Sequence, residues 1–475
     1  MTRMSTRFAP HAAAAVLGLL VLGLPAQAQD GITVEQQTGP DPILPEPQLG
    51  LFPTMKIAEV IGWEGEAAPS VPEGFEIRAL ARDLENPREL YVLPNGDILV
   101  VEGKAPPGKP TRHPKGLVRG WVETMVGGGG GSGDSNRITL LRDADGDGTP
   151  EQRSVFLDDL NSPFGVALVG SDLYVAHAHA ILRYPYAEGD TRITAPGELL
   201  AELPGGPINH HWTKSLVASP DGALLYVGVG SNSNVGERGM EAEKNRAAIL
   251  EVDRASGRKR LFASGLRNPN GLTIEPESGV LWTVVNERDE LGPNLVPDYL
   301  TSVRDGGFYG WPYSYFGQHV DPRMKPERPD LVAEALVPDY ALGSHVAALG
   351  LAFYTGTAFP QAYQGGAFIG LHGSWNRDEF SGYKVIHVPF RNGRPDGPAT
   401  DFVTGFLNDE EQARGRPVGV AVDATGALLV ADDAGNTVWR VSATTPASPS
   451  PGAATPDNPT TDAPTPGSAI PPEPE

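Results

Sequence analysis

The sequence predicts an all-β fold, a six-bladed β-propeller, and three observations support this. A short β-branched or aromatic run, a turn rich in Pro, Asp, Asn or Gly, and a second such run recur six times between about residues 75 and 442, which is the pattern of a β-hairpin. The turn glycines of the first and last copies, Gly96 and Gly426, are 330 residues apart over five intervals. Each repeat of about 66 residues therefore suits a four-stranded blade with a long loop. No segment has a helical hydrophobic period of useful length.

The six hairpins occupy similar places in their repeats. They are expected at residues 89–101, 165–176, 215–227, 271–284, 350–370 and 419–431. A third strand is expected after four of them, at 180–184, 248–252, 383–388 and 437–441. Two stacked β-sandwiches are the alternative, but they do not explain why the same turn recurs at one place in each repeat. Because blades bury their faces against each other, functional groups are expected in the loops near the central channel.

The N-terminus is predicted to be a secretory signal peptide covering residues 1–28. It combines Arg3 and Arg7, an apolar run at 12–24 and an Ala-x-Ala sequence at 26–28, which are the three parts of such a signal. The apolar run has 13 residues, whereas a membrane-spanning helix needs about 20. The protein is therefore expected to be periplasmic or secreted, with no membrane span.

The rest of the chain divides by composition into three parts. Residues 29–72 are Pro-rich and are expected to form a wrapping or linking N-terminal extension, and residues 73–442 are expected to form the propeller. The Pro/Thr-rich segment 443–475 has ten prolines and no apolar period. It is expected to be a disordered tail, because it cannot bury enough surface to offset its ordering entropy.

Charge and cysteine content exclude several classes of protein. The chain has 37 Lys and Arg against 59 Asp and Glu, a formal net charge of −22, and loss of the signal peptide makes the charge more negative. An acidic chain argues against nucleic acid or an anionic membrane as a partner. The absence of cysteine excludes disulfides, thiolate metal sites, cysteine nucleophiles and c-type haem attachment.

A histidine pair is the first candidate for chemistry. His210 and His211 stand immediately ahead of the third hairpin, where a propeller loop is expected. Histidine can act as a general base there because its pKa lies near working pH. The alternative interpretation is a pair of surface histidines beside the packed Trp212.

An acidic run is a candidate cation site. Asp143, Asp145 and Asp147 alternate before a glycine, and alternating carboxylates can surround one hard cation such as Ca²⁺. Ser154 stands where an EF-hand has a bidentate glutamate, and no flanking helices are predicted, so an acidic turn without metal is the alternative. The glycine run at 127–131 has no following Gly-Lys-Ser/Thr and is expected to be a flexible loop.

Arginines recur at the starts of predicted strands. Arg267 precedes the fourth hairpin, and Arg414 and Arg416 precede the last one. In an acidic protein, guanidinium groups at equivalent positions suggest a polyanionic ligand above the channel, because they bind carboxylates or phosphates bidentately. Pairing with acidic neighbours between blades is the alternative.

Between about residues 75 and 442 the chain resembles the soluble, pyrroloquinoline-quinone-dependent sugar dehydrogenases, and within them the branch similar to L-sorbosone dehydrogenase. The fold of that family is a six-bladed propeller, in agreement with the repeat count. The motifs that carry the resemblance are GLRNPNG at 265–271, NERDELGPNLVPD at 286–298, GGFYGWP at 306–312, HGSWNR at 372–377 and RGRPVGVAVD at 414–423.

The resemblance implies roles for particular residues. His211 corresponds to the base that takes the substrate hydroxyl proton while hydride passes to pyrroloquinoline quinone (PQQ). The backbone carbonyls of Gly292 and Pro293 correspond to ligands of the active-site Ca²⁺ that polarises the quinone. The residues that correspond to cofactor contacts are Arg267, Asn268, Asn270, Arg377, Arg414 and Arg416.

One departure from the family concerns the base. Gly230-Ser231-Asn232 stands where the family has an aspartate that orients the histidine. A hydroxyl or an amide can fix the tautomer, but it stabilises imidazolium less than a carboxylate does.

The resemblance leads us to expect a periplasmic quinoprotein oxidoreductase. Its substrate would be an aldose or a sugar-derived aldehyde, and its electrons would leave through a soluble acceptor, because the chain has no haem motif. Two alternatives stay open at this point: a calcium-dependent, lactonase-type hydrolase, and a secreted binding propeller without redox activity.

Overall fold

The structure is a computed structural model, and it describes residues 32–50, 54–106, 135–206 and 208–444. The predicted signal peptide, the glycine run at 127–131 and all but the first two residues of the predicted tail lie outside the described residues.

The described chain forms six antiparallel sheets arranged as the blades of a propeller, five with four strands and one with a fifth strand added at its edge, so the predicted fold is confirmed. Two strands precede the first blade, β1 (Thr38–Gly39) and β2 (Phe75–Ala81). Blade 1 contains β3 (Pro87–Val92), β4 (Ile98–Glu102), β5 (Arg137–Arg142) and β6 (Gln152–Leu157). Blade 2 contains β7 (Val166–Val169), β8 (Asp172–Ala176), β9 (Ala180–Pro185) and β10 (Glu198–Glu202). Blade 3 contains β11 (Leu216–Ala218), β12 (Leu224–Val229), β13 (Ala248–Asp253) and β14 (Lys259–Ser264).

Blade 4 carries an insertion between its third and fourth strands. Its first three strands are β15 (Pro269–Ile274), β16 (Leu281–Val285) and β17 (Pro297–Ser302). The insertion contains β18 (Ser314–Tyr315), β19 (His319–Val320) and the helix α1 (Pro329–Glu334), and β20 (Tyr340–Ser344) completes the blade. Among the described residues, no helix has the length and hydropathy needed to cross a membrane.

The last two blades complete the ring. Blade 5 contains β21 (Ala348–Phe353), β22 (Ala367–Leu371), β23 (Lys384–Val388) and β26 (Thr400–Val403), with the ribbon β24 (Phe390–Arg391) and β25 (Arg394–Pro395) between the last two. Blade 6 contains β27 (Pro417–Val422), β28 (Leu428–Asp432) and β29 (Thr437–Ala443). Its outermost strand is β2, which pairs antiparallel with β29 and sets Phe75 opposite Ala443. The N-terminal strand therefore closes the propeller.

The hydrophobic core lies between neighbouring blades. Val101 of β4 shares one buried cluster with Leu173 and Val175 of β8, and Trp282 of β16 shares another with Ile369 of β22. Alternate residues of each strand point to opposite faces of its sheet, so each blade contributes to the core on both sides.

The antiparallel strands give the propeller two different ends. We call one end the turn face. It carries the turns between the first and second strands of the blades, at 93–97, 170–171, 219–223, 275–280, 354–366 and 423–427. We call the opposite end the site face. There the first strand of each blade begins and the second strand ends, so residues that are far apart in sequence meet around the channel.

Candidate active site

Most of the predicted site residues lie at the site face. His211 precedes β11, Arg267 and Asn268 precede β15, Asn270 lies in β15, Gly292 and Pro293 follow β16, Arg377 follows β22, and Arg414 and Arg416 precede β27. The acidic run Asp143, Asp145 and Asp147 lies instead between β5 and β6, at the turn face. The topology therefore separates the two predicted kinds of site.

The half-buried His211 is oriented by Ser231, which follows β12. Its Nδ1 is 2.8 Å from the carbonyl oxygen of Ser231 and 3.0 Å from Ser231 Oγ. The Ser231 hydroxyl donates its own hydrogen to the carbonyl of Ser233 at 2.7 Å. Both groups facing Nδ1 are therefore acceptors, so Nδ1 carries the ring hydrogen and Nε2 keeps its lone pair. This is the tautomer that a general base needs.

The neighbouring His210 contacts the same loop differently. The two imidazole centroids are 4.5 Å apart, with ring planes at 64°. The backbone N–H of His210 donates to Asn232 Oδ1 at 3.3 Å, and Asn232 Nδ2 donates to the carbonyl of Ala242 at 2.8 Å. Asn232 thus supports the loop through the backbone of His210, while Ser231 orients the ring of His211.

Two buried basic side chains, Lys214 and Arg246, lie under this loop. No sequence pattern marks them as functional. Lys214 Nζ is fully buried and donates to the carbonyl of Trp212 at 2.8 Å. Arg246 donates to Asn209 Oδ1 at 2.8 Å and to the carbonyl of His211 at 3.4 Å. Burial, and after it the charge of Arg246, holds the pKa of Lys214 well below its ordinary value. The two side chains turn the loop carbonyls inward and so fix the backbone from which His211 projects.

Asn268 lies beside the histidine and has an unused acceptor. Its side chain is buried, and its Oδ1 has no hydrogen-bond partner in the described part of the chain. A Cβ at Gly230 would lie 2.3 Å from this oxygen and 2.4 Å from His211 Cβ. Only glycine therefore allows the two side chains to pack at this point. A buried acceptor without a donor indicates a place where a ligand or a water supplies one.

The side chains of Arg267 and Asn270 form hydrogen bonds mainly with other residues of the protein. The buried Arg267 guanidinium donates to the carbonyls of Asn234 (3.3 Å) and Glu287 (2.7 Å), to Asn234 Oδ1 (3.0 Å) and to Asp289 Oδ2 (3.3 Å). Its remaining N–H points at the carbonyl of Asn286, at 3.4 Å. Asn270 accepts from Thr213 Oγ1 at 2.9 Å and donates to the carbonyl of Asn268 at 3.4 Å. Their contact with a cofactor stays a prediction, and Arg267 would have to exchange a present bond for it.

The carbonyl of Gly292 faces a buried histidine. His345 Nε2 is 3.1 Å from this oxygen, and His345 Nδ1 is 3.1 Å from Asn376 Nδ2. Since the amide donates to Nδ1, the ring hydrogen lies on Nε2 and is donated to Gly292. Burial lowers the pKa of His345, so the ring is neutral at pH 7. A carbonyl has two lone pairs, and Gly292 therefore keeps one for the predicted calcium.

The predicted cofactor arginines differ in whether their guanidinium groups already donate hydrogen bonds to the protein. Arg416 is buried, donates to the carbonyls of His372 (3.0 Å) and Gly373 (2.8 Å), and lies 5.2 Å above the ring of Tyr383. Arg377 is also buried and donates to the carbonyls of Ser344 and Glu379, both at 3.2 Å. The half-buried side chain of Arg414, in contrast, has no hydrogen bond or ion pair with described residues.

The site face also holds a histidine–carboxylate pair that sequence reasoning missed. His372 Nε2 lies 2.9 Å from Asp433 Oδ1, and Arg88 lies 3.1 Å from Asp433 Oδ2. Burial opposes ionisation of Asp433, but His372 and Arg88 outweigh it and lower the pKa to about 2. Burial, and next Arg416, lowers the pKa of His372 to about 4, so the neutral ring donates to an ionised carboxylate. Arg88 also lies 5.7 Å above the ring of Trp212, which connects this pair to the His211 loop.

The acidic run forms a compact group at the turn face. Carboxylate oxygens of Asp143, Asp145, Asp147 and Glu151 lie within 4.8 Å of one another. Glu151 joins the group although its spacing does not match a calcium loop. Three of the four side chains are exposed, and Asp143 caps its own turn by accepting from Gly146 N at 2.8 Å. A structural cation there stays a prediction.

The fold and the site face define a six-bladed propeller with a histidine-centred polar site around one end of its channel. Residues 171–375 match the family model described as "Glucose / Sorbosone dehydrogenase", and residues 330–444 match one described as "TrAA12-like". The first match contains His211, Arg267 and Asn268, so the region that carries these residues is similar to that family.

Two curated proteins are similar over part of the chain. An uncharacterized protein of Borreliella burgdorferi is 30% identical over 246 residues, which are 51% of this chain and 64% of that protein. The aldose sugar dehydrogenase YliI of Escherichia coli is 25% identical over 194 residues, which are 38% of this chain and 50% of that protein. The matches span about half to two thirds of the length of these relatives.

Solved structures share the fold at low identity. The holo PQQ domain of pyranose dehydrogenase from Coprinopsis cinerea superposes with a TM-score of 0.64 at 20% identity, covering 82% of this chain and 100% of that one. A family AA12 enzyme of Trichoderma reesei, in an iodide structure, gives 0.64 at 20% identity, covering 79% and 98%. The PQQ-bound aldose sugar dehydrogenase of Streptomyces coelicolor gives 0.50 at 16% identity, covering 78% and 99%.

Proposed function

We propose that this protein is a periplasmic or secreted quinoprotein dehydrogenase. It oxidises an aldose or a sugar-derived, sorbosone-like aldehyde with PQQ and Ca²⁺ and passes the electrons to a soluble acceptor. The observation that carries the proposal is the tautomer of His211: both groups at Nδ1 are acceptors, so Nε2 is the basic nitrogen. The match of this region to the sugar dehydrogenase family supports the same conclusion.

His211 acts as the general base in this proposal. Its Nε2 takes the proton of the hydroxyl on the reacting carbon as the C–H bond at that carbon breaks. An aldehyde substrate carries this hydroxyl in its hydrate, and the product is then the acid. Bound PQQ supplies the two-electron acceptor for the hydride. The Ser231 carbonyl and hydroxyl hold the ring in place and stabilise the imidazolium through their dipoles, which is a weaker effect than the full charge of a carboxylate. We therefore expect a weaker base than a histidine–aspartate pair provides.

The residues present fit an anionic quinone. PQQ carries several carboxylates, and Arg414 offers a guanidinium group that is not used by the described residues. Asn268 Oδ1 is a buried acceptor without a donor, positioned for an N–H group or a water bound with the ligand. The carbonyls of Gly292 and Pro293 would supply oxygen ligands, which Ca²⁺ prefers.

A secreted propeller that binds its ligand without oxidising it is the second candidate. Two observations favour it. All five N–H groups of Arg267 point at protein acceptors, and Ser231, which orients His211 Nδ1, offers it a carbonyl and a hydroxyl where the family has an aspartate.

Reconstitution separates the two candidates. The purified protein is titrated with PQQ in the presence of CaCl₂, binding is followed by absorbance, and dye reduction is then measured with a panel of aldoses and sugar-derived aldehydes. We expect saturable binding and dye reduction with at least one substrate. His211→Gln should abolish most turnover and keep the cofactor, whereas His210→Gln should keep both.

The possible results have distinct meanings. Binding without dye reduction would support the non-redox propeller, and absence of binding at any PQQ concentration would refute the quinoprotein proposal. If His372→Gln, rather than His211→Gln, removes turnover while cofactor binding persists, the histidine–carboxylate pair at Asp433 supplies the base instead.

A further inference from the structure

The N-terminal extension crosses the site face. We call its described residues 40–50 and 54–72 the N-terminal strap. It begins at the edge of blade 4, where Thr38 in β1 pairs with Leu342 in β20. It ends beside blade 6, where Ser70 and Thr404 exchange backbone hydrogen bonds of 2.8 and 2.9 Å. Between these points it bonds to loops of three blades.

Each of these bonds falls next to a predicted cofactor or calcium residue. Gln48 N donates to the carbonyl of Leu291 at 2.8 Å, one residue before Gly292. Lys56 N donates to the carbonyl of Trp375 at 2.9 Å, two residues before Arg377. Ala413, which precedes Arg414, donates to the carbonyl of Glu59 at 2.7 Å and accepts from Ile61 N at 2.8 Å. The strap therefore joins the three loops that carry these residues.

Trp63 is the side-chain anchor of the strap. Its ring packs edge-on against Trp439 (5.0 Å between centroids) and Phe406 (5.7 Å). Its indole Nε1–H donates to Asp432 Oδ2 at 2.7 Å. A Cβ at Gly435 would lie 2.3 Å from this carboxylate and 2.5 Å from the indole nitrogen, so the contact requires glycine at that position.

Asp432 links Trp63 to the backbone of Arg416, one of the predicted cofactor residues. The carboxylate is fully buried and accepts from the backbone N–H of Arg416 at 2.7 Å and of Gly435 at 2.8 Å. Trp439 Nε1 adds a longer bond of 3.2 Å. Burial raises the pKa of Asp432 to about 6, and the bond from Trp63 is the largest effect in the opposite direction. Loss of that bond therefore removes the largest of the four hydrogen-bond contributions that stabilise the ionised carboxylate, which holds the Arg416 backbone.

We propose that the N-terminal strap is a structural part of the site and that Trp63 is a positioning residue, acting through Asp432 on the backbone of Arg416. The effect on ligand affinity rests on the proposed function. The effect on the Arg416 backbone does not, because it concerns the protein without cofactor.

The test compares two Trp→Phe variants of the full chain. Trp63→Phe keeps a ring against Trp439 and Phe406 but removes the donor to Asp432. Trp282→Phe is the matched control, since its buried Nε1 has no partner in the described part of the chain. Hydrogen exchange of the Arg416 and Gly435 amides is measured without cofactor, and PQQ affinity is measured by titration with CaCl₂. Thermal unfolding confirms that both variants fold.

We expect Trp63→Phe to speed exchange at Arg416 and Gly435 about 3- to 10-fold, the effect of losing one hydrogen bond of ordinary net strength. PQQ affinity should fall by a similar factor, and Trp282→Phe should change neither. Unchanged exchange at Arg416 in Trp63→Phe would overturn the inference. So would an equal increase throughout blade 6 in both variants, because that indicates general loss of stability. If the wild type binds no PQQ, the proposed function fails, and amide exchange still decides the positioning role.

Discussion

Individual carboxylates at the two ends of the propeller differ in the range of their contacts. At the turn face, Asp221 and Glu275 bond within their own hairpins: Asp221 accepts from Ala223 N at 3.0 Å, and Glu275 accepts from Ser278 N at 2.7 Å. At the site face, Asp433 of blade 6 contacts His372 of blade 5 and Arg88 of blade 1. A local bond stabilises one turn, whereas an interblade bond fixes side chains relative to each other around the channel.

This difference in bonding indicates which polar groups are available for chemistry. Most donors at the site face, including those of Arg267 and Arg416, are directed at protein carbonyls. Among the described residues of this face, the Asn268 oxygen and the Arg414 guanidinium have no partner in the protein. The interblade network holds these groups in position.

The largest effect on turnover is expected from substitution of His211 at the site face. His211→Ala should lower turnover about 10²- to 10⁴-fold, because it removes the general base, while PQQ affinity stays nearly unchanged. His210→Ala should have a much smaller effect, since only its backbone contacts Asn232. Steady-state dye reduction and a PQQ titration measure both quantities. Equal losses from the two variants would show that the pair acts together and that the assignment to His211 is wrong.

Substitutions of Arg414 and Arg416 test which of these arginines is available to bind a ligand. Arg414→Ala should weaken PQQ binding about 10- to 100-fold, the effect of losing a charge-assisted pair. Its free energy of unfolding should change by less than about 0.5 kcal/mol, as for other surface substitutions. Arg416→Ala should lower both affinity and stability, because the carbonyls of His372 and Gly373 lose their donor. Denaturant titration and PQQ titration of both variants check this, and an Arg414→Ala variant with wild-type affinity would contradict it.

A buried histidine near the turn face predicts a pH effect on stability alone. His387 packs against Tyr363 and Phe368, and burial lowers its pKa to about 4. Because the folded pKa lies below the ordinary value of about 6.5, the unfolded chain binds the proton first, and stability falls as pH drops from about 6.5 to about 4. This group should remove about 2 kcal/mol of the free energy of unfolding by pH 5.

His387→Gln should remove that part of the pH dependence and leave PQQ affinity unchanged. Denaturant unfolding of the variant and the wild type at pH 5 and pH 7 measures the difference. An identical pH dependence in the two proteins would show that His387 does not titrate in this range.

The smallest effect is expected at the far end of the hairpin that carries the site. Asp221 lies in the β11–β12 turn, whereas His211 and Ser231 flank the opposite end of the same two strands. Asp221→Ala removes acceptors for Ser219 Oγ and Ala223 N and should lower stability slightly, because the lost bonds are exposed to solvent. Turnover and PQQ affinity should match the wild type. A clear loss of turnover would show that this turn is coupled to the site.

The sequence predicts the turn face better than the site face for a physical reason. All six hairpins are confirmed, because each depends on a few adjacent residues that favour a turn. The third strands of blades 1 and 4, β5 and β17, are not predicted; 34 and 11 residues separate them from the second strands of their blades. Asp433 and Trp63 are also missed, because their contacts join residues that are far apart in the sequence. Lys214 is missed because its burial depends on the packing around its loop and not on its neighbours in the sequence. Motif resemblance finds His211 and the arginines, but it does not show which arginines the protein already uses.

The pairing of β2 with β29 has a consequence for how the chain is completed during synthesis. The ring closes only when residues 437–443 are available, so β2 is made more than 350 residues before its partner. Until then the strand at 75–81 has an unpaired edge, which can pair with another chain. The same long separation between partners makes closure of the last blade a slow, non-local step. The nascent propeller is therefore most vulnerable to association with other chains just before its last strand emerges.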